Sequence, residues 1–126
     1  MMKEAASVPN HPRLWAVTVL TSQAVDPFVV KERALLAKKS GMDGVISSPH
    51  EIEIIKKACG NDFGVITPGI RMESDDKNDQ KRISTPGAAV RAGANFIVVG
   101  RPVIEAPDPV EAAKIMSDEI DRALGN

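Results

Sequence analysis

What most limits the fold of this chain is an alternation repeated four times: a short apolar run, then a stretch with helical spacing. The runs are residues 14–20 (LWAVTVL), 44–47 (GVIS), 63–67 (FGVIT) and 95–99 (NFIVV). Because they are nearly continuous in apolar residues, they predict strands covered on both faces. Asp26-Pro27 predicts a helix start, with Asp as cap and Pro in the first turn, and the helix runs to about Ser40 before Gly41. Residues 49–58 read as a second helix, with Ile52, Ile55 and Ala58 on one side and Gly60 as its stop. Thr85-Pro86 opens a short third helix that ends at Gly93. Asp108-Pro109 caps a fourth, whose Val110, Ala113, Met116 and Ile120 are spaced for one buried face.

Strands joined this way pair in parallel through right-handed crossovers. The expected fold class is α/β, half of a (β/α)8 TIM-type barrel with four parallel strands and four helices. The 126 residues suit that reading, as a full barrel usually takes about 250. A small open α/β sheet is the competing architecture. Residues 1–126 read as one unit, without internal repeat or low-complexity segment.

The formal charge of −1 is spread rather than blocked, and aromatic residues are few, with no tyrosine. Neither feature suits a nucleic-acid partner. No stretch reaches the roughly 18 apolar residues that span a bilayer, so no membrane partner is expected. Cys59 is the only cysteine. It reads as a small packed residue near a helix end in a chain of the reducing cytoplasm.

In parallel α/β folds, ligands meet the carboxyl ends of the strands. Four clusters fall there: Thr21-Ser22; Ser47-Ser48-Pro49-His50; Thr67-Pro68-Gly69-Ile70-Arg71; and Gly100-Arg101-Pro102. Glycine lets a ligand approach the backbone, and arginine can fork onto a phosphate. Two successive strand ends with arginine therefore predict a phosphate site. The charged loop over residues 72–83 reads as a lid closing on that anion, since its acidic residues lack calcium-loop spacing. His11 and His50 have no partners at ligand spacing, so no metal is expected.

These residues resemble a known family. Ala16-Val17-Thr18-Val19-Leu20-Thr21-Ser22, Gly41-Met42-Asp43-Gly44-Val45, Thr67-Pro68-Gly69-Ile70-Arg71, Asp79-Gln80-Lys81-Arg82 and Val99-Gly100-Arg101-Pro102 occur in this order. Together they resemble the second half of bacterial-type orotidine 5′-phosphate decarboxylases, over nearly the whole chain. The resemblance implies a cofactor-free carboxy-lyase of pyrimidine biosynthesis, converting orotidine monophosphate to uridine monophosphate and carbon dioxide. It implies strands corresponding to 5–8 of the family barrel, and a homo-oligomer or pairing with an amino-terminal half-barrel. Thr21 and Ser22 would then lie at the pyrimidine and its neighbouring contacts, and Pro68 would line the base pocket. Arg71, Gln80, Gly100 and Arg101 match ligand-binding positions, Gln80 and Arg101 being the phosphate candidates.

The sequence departs from the family pattern in two respects. The Asp-x-Lys-x-x-Asp motif that supplies the proton donor is absent, and Asp76-Lys77-Asn78-Asp79 has the wrong spacing, so no catalytic residue is assigned. The segment between Ser22 and Asp26 is shorter than usual. In addition, residues 1–6 read as the interior of the helix before strand 5, not as a natural start. The leading expectation is a half-barrel that is inactive alone; the alternative is a non-catalytic phosphate-binding half-barrel or scaffold.

Overall fold

The computed structural model describes residues 1–20, 25–72 and 83–125. Within them, α1 (Met2–Ser7) precedes β1 (Trp15–Val17), α2 (Pro27–Lys39) and β2 (Gly44–Ile46). A 3-10 turn (Pro49–Glu51), α3 (Ile52–Cys59), β3 (Gly64–Thr67), α4 (Pro86–Ala92) and β4 (Phe96–Ile97) follow. Two helices end the chain, α5 (Arg101–Ile104) and α6 (Pro109–Ala123). The sheet runs β1-β2-β3-β4 with every pair parallel.

The punctuation residues act as expected. The Asp26 carboxylate accepts from the Phe28 N–H at 2.9 Å, and Asp108 accepts from Val110 and Glu111, both at 3.1 Å. Gly41 and Gly93 follow α2 and α4 with φ of +87° and +110°, a region that costs other residues strain.

The strands are shorter than their apolar runs, and they are not covered on both faces. Val45 and Val65 are completely buried, and Ala16 and Ile97 pack against the same core. To that core the helices bring Val30, Ala34 and Ala37 from α2, Ile52, Ile55 and Cys59 from α3, and Ala89 from α4, with Val19, Met42, Phe63 and Ile70 joining from the connections. The alternate positions Trp15, Val17, Ile46, Ile66, Phe96 and Val98 fall on the opposite face by the two-residue period of a strand. That face is open: Val17 is 56% exposed, and Phe96 and Val98 are each 51% exposed. The apolar runs thus mark a two-sided sheet of which only one side is covered.

Three further differences from the sequence reading concern the helices. Residues 49–58 split into a 3-10 turn and α3 rather than one helix. The Gly100-Arg101-Pro102 segment starts the additional helix α5, with Pro102 in its first turn. On α6 the packed face is rotated from the expected one: Met116 is buried and Ile120 half-buried, but Val110 is 79% exposed and Ala113 is exposed as well. Ala112, Met116 and Glu119 are on the inner side instead. Here Glu119 accepts from the Gly87 N–H of α4 at 2.9 Å.

Side chains pin the amino ends of the strands. Asp43 accepts from the Leu14 N–H through its carboxylate (2.7 Å) and from Gly64 through its carbonyl (3.0 Å). Lys56 Nζ donates to the carbonyls of Asn61 (3.1 Å) and Phe63 (2.8 Å) and to Asn95 Oδ1 (2.8 Å). Asn95 Oδ1 also accepts from the Val65 N–H at 2.9 Å. Loss of water around Lys56 pulls its pKa below the usual lysine range, with Asp62 opposing the shift. Cys59 sits in the α3 seam, where burial pushes its thiol pKa up. A thiol reagent should therefore label Cys59 at least about tenfold more slowly in folded than in denaturant-unfolded chain. Equal labelling rates would contradict this packing.

Candidate ligand site at the carboxyl ends of the strands

Parallel strands bring all their carboxyl ends to one rim. At the β1–β2 side, the rim is a buried hydrogen-bond network. The Ser47 hydroxyl donates to Glu51 Oε2 at 2.9 Å, and the Ser48 N–H donates to the same oxygen at 3.0 Å. Thr18 Oγ1 lies 3.4 Å from Ser47 Oγ, and Arg33 Nη1 reaches from α2 to the Thr18 carbonyl at 2.8 Å. Glu51 is only 3% exposed, and Ser47 is fully buried. A buried carboxylate is costly unless it is hydrogen-bonded, and here it ties the end of β2 to the turn that follows. The sequence reading missed Glu51, Thr18 and Arg33. The Ser48-Pro49-His50-Glu51 spacing was the available signal, being the Ser-x-x-Glu pattern of a helix start.

The β3–β4 side carries Arg71 and Arg101. Thr67 ends β3 fully buried, and its hydroxyl donates to the Pro68 carbonyl at 3.3 Å. Pro68 is half-buried. The segment then turns at Gly69 (φ +77°) and forms a small parallel bridge with Ser84. The Arg71 N–H donates to the Ser84 carbonyl at 3.0 Å, and the Ser84 N–H donates to the Gly69 carbonyl at 3.1 Å. Arg71 is 7% exposed, and its Nη1 donates to the Ile70 carbonyl at 2.8 Å. That bond uses one of the five N–H donors of a guanidinium.

On the neighbouring strand, Arg101 is half-buried and begins α5. A side chain built onto Gly100 would meet nothing within 4 Å, so the backbone there borders open space. Arg71 and Arg101 each follow the last residue of hydrogen-bonded neighbours β3 and β4 by four positions. The two expected arginine-bearing segments therefore follow neighbouring strands. Thr21, Ser22 and Gln80, and most of the expected lid, lie outside the described residues.

Among the described residues, no group of three His, Cys, Asp or Glu is arranged to hold a metal ion, and no helix is long and apolar enough to cross a membrane. At this rim two arginine-bearing segments stand over β3–β4, and a buried network of hydroxyls, a backbone N–H and a carboxylate closes the β1–β2 side.

The chain is similar to known proteins over most of its length. The family model described as "Orotidine 5'-phosphate decarboxylase / HUMPS family" matches residues 1–116. The orotidine 5′-phosphate decarboxylase of Trichlorobacter lovleyi is 47% identical over 94% of this chain and 54% of its own length. That of Moorella thermoacetica is 44% identical over 95% of this chain and 53% of its own length. Among solved structures, the orotidine 5′-phosphate decarboxylase of Lactobacillus acidophilus superposes with a TM-score of 0.77 at 35% identity. The superposition covers 96% of this chain and 58% of that one. The chain thus spans about half the length of the curated relatives it matches.

Proposed function

We propose a function from one premise: the chain belongs to the orotidine 5′-phosphate decarboxylase / HUMPS family. Its four-stranded parallel sheet is half of the family's (β/α)8 barrel, corresponding over residues 1–126 to strands 5–8. The activity it serves is that of a carboxy-lyase, taking orotidine monophosphate to uridine monophosphate and carbon dioxide in the cytoplasm. This half holds the nucleotide and an amino-terminal half-barrel supplies the proton donor. One observation carries the reading: the arginine-bearing segments after β3 and β4 are neighbours at the rim where parallel strands bind ligands.

The division of labour has a physical basis. A phosphate remote from the reacting carbon contributes binding energy that can be realised in the transition state. Loss of carbon dioxide leaves a carbanion that needs a positioned acid. No Asp-x-Lys-x-x-Asp sequence occurs in this chain to provide one. Arg71, Gly100 and Arg101, with Gln80, take the phosphate, while Pro68, Thr21 and Ser22 contact the base or its surroundings.

The test is calorimetric titration of the chain with uridine monophosphate and with inorganic phosphate. Arg101→Ala should weaken both by about 1.5–3 kcal/mol, the range for hydrogen bonds to a charged group. Unchanged affinity for both would remove Arg101 from the site.

A further inference from the structure

The uncovered face of the sheet carries a steric pattern of its own. Trp15, at the amino end of β1, lies across the starts of the next two strands. A Cβ on Gly44 would come within 2.4 Å of the indole, and one on Gly64 within 2.5 Å. The ring then meets Phe96 of β4 edge-on, with centroids 5.8 Å apart and planes at 89°. Two aromatic rings from this one chain thus occupy the amino end of the open face, across all four strands. Val17, Ile46 and Ile66, in register with Phe96, and Val98 beyond them continue the face towards the carboxyl end, all apolar.

An eight-stranded barrel has an interior only wide enough for layers of about four side chains. Trp15 and Phe96 take much of such a layer, and Gly44 and Gly64 leave room for them. A second copy closing onto this face would bring another tryptophan and phenylalanine to the same level, overfilling it. The relatives extend beyond this chain by nearly half their length, about what four more strand–helix units require.

Resting on the half-barrel reading above, we infer that the open face is a docking surface for a half-barrel whose strands begin with small inward side chains, because Trp15 and Phe96 already fill that end of the interior. Val17, Ile46 and Ile66, beside Phe96, and Val98 beyond them meet ordinary aliphatic residues. The surface thereby selects a complementary half over a second copy of itself.

Trp15 is the only tryptophan in the chain, so its emission reports on this face directly. The experiment mixes the chain with a tryptophan-free amino-terminal half of one of the curated relatives. Two versions of that half are used, with a small or a large inward residue at the start of the facing strands. The small version should blue-shift Trp15 emission and bind about tenfold more tightly than the large one. Trp15→Leu should abolish or reverse that preference. Decarboxylation restored without a size preference, or without a change at Trp15, overturns this inference and leaves the half-barrel reading intact. A blue shift that grows with the concentration of the chain alone overturns the choice of partner. Absence of any complex overturns both readings.

Discussion

Purified chain alone should release no carbon dioxide from orotidine 5′-phosphate above the uncatalysed rate, and adding an amino-terminal half-barrel of the family should restore turnover. The size of the change follows from the missing group. Positioned proton transfer alone is worth about 10²–10⁴ in rate, and preorganised electrostatic stabilisation of the carbanion adds to it. The measurement is single-turnover decarboxylation by each half and by the mixture, at matched protein concentration. Turnover by the lone chain at a rate near that of the mixture would end the half-barrel account of this sequence. The mixture must also be sensitive to Arg101→Ala, because the phosphate handle and the proton donor would then sit on different polypeptides and act on one molecule.

The largest effect on stability should come from the α3 seam. Ile52 and Ile55 are completely buried, and they pack with Val30, Ala34, Val45 and Val65 in a single cluster. Truncating Ile55 to alanine removes three methyl or methylene groups and leaves a void that rigid neighbours on the sheet and α2 cannot close. Such changes cost about 2–5 kcal/mol. Whole domains are stable by only about 5–15 kcal/mol, and this one leaves a sheet face uncovered. Ile55→Ala should therefore lower the urea midpoint sharply or leave the chain unfolded, as followed by far-ultraviolet circular dichroism. Val110→Ala on the exposed start of α6 should leave the midpoint nearly unchanged. A similar loss at both positions would mean that the core lies elsewhere.

Parts of this fold were legible because local chemistry alone decides them. Asp26 and Asp108 cap helices using their own neighbours, and Gly41, Gly60 and Gly93 end helices because few other residues accept a positive φ. The strands were legible in position but not in their surroundings. An apolar run has the same appearance whether its second face is covered by its own chain or waits for another, so residues 14–20 gave no warning that Val17 would be open. On α6, Val110 and Ala113 matched a helical stripe, but Met116 and Ile120 fit a stripe shifted towards Ala112 and Glu119 as well. The contact with α4 decides between them, and contacts between helices leave little trace in a single periodicity. At the rim, arginine and glycine announced themselves by type. Glu51 was marked only by its Ser-x-x-Glu spacing, since an acidic residue near a helix start is ordinarily a solvated one, and the fold decides that it is buried.

The amino ends of the strands are fastened by side chains that stand apart from the candidate ligand groups over β3–β4. Asp43, Lys56 and Asn95 hold the strands in register from below through bonds that involve no residue of the rim. The amino-end fastening thus survives changes in the exposed rim segments, whereas the buried Ser47–Glu51 network and Ile70 belong to the fold itself. A lineage carrying such a frame can explore new loops, including the short connection between Ser22 and Asp26, while its strands stay aligned. Evolvability in this chain is a matter of which end a mutation falls on, and tolerance to insertions should be read along the strand axis and not along the sequence.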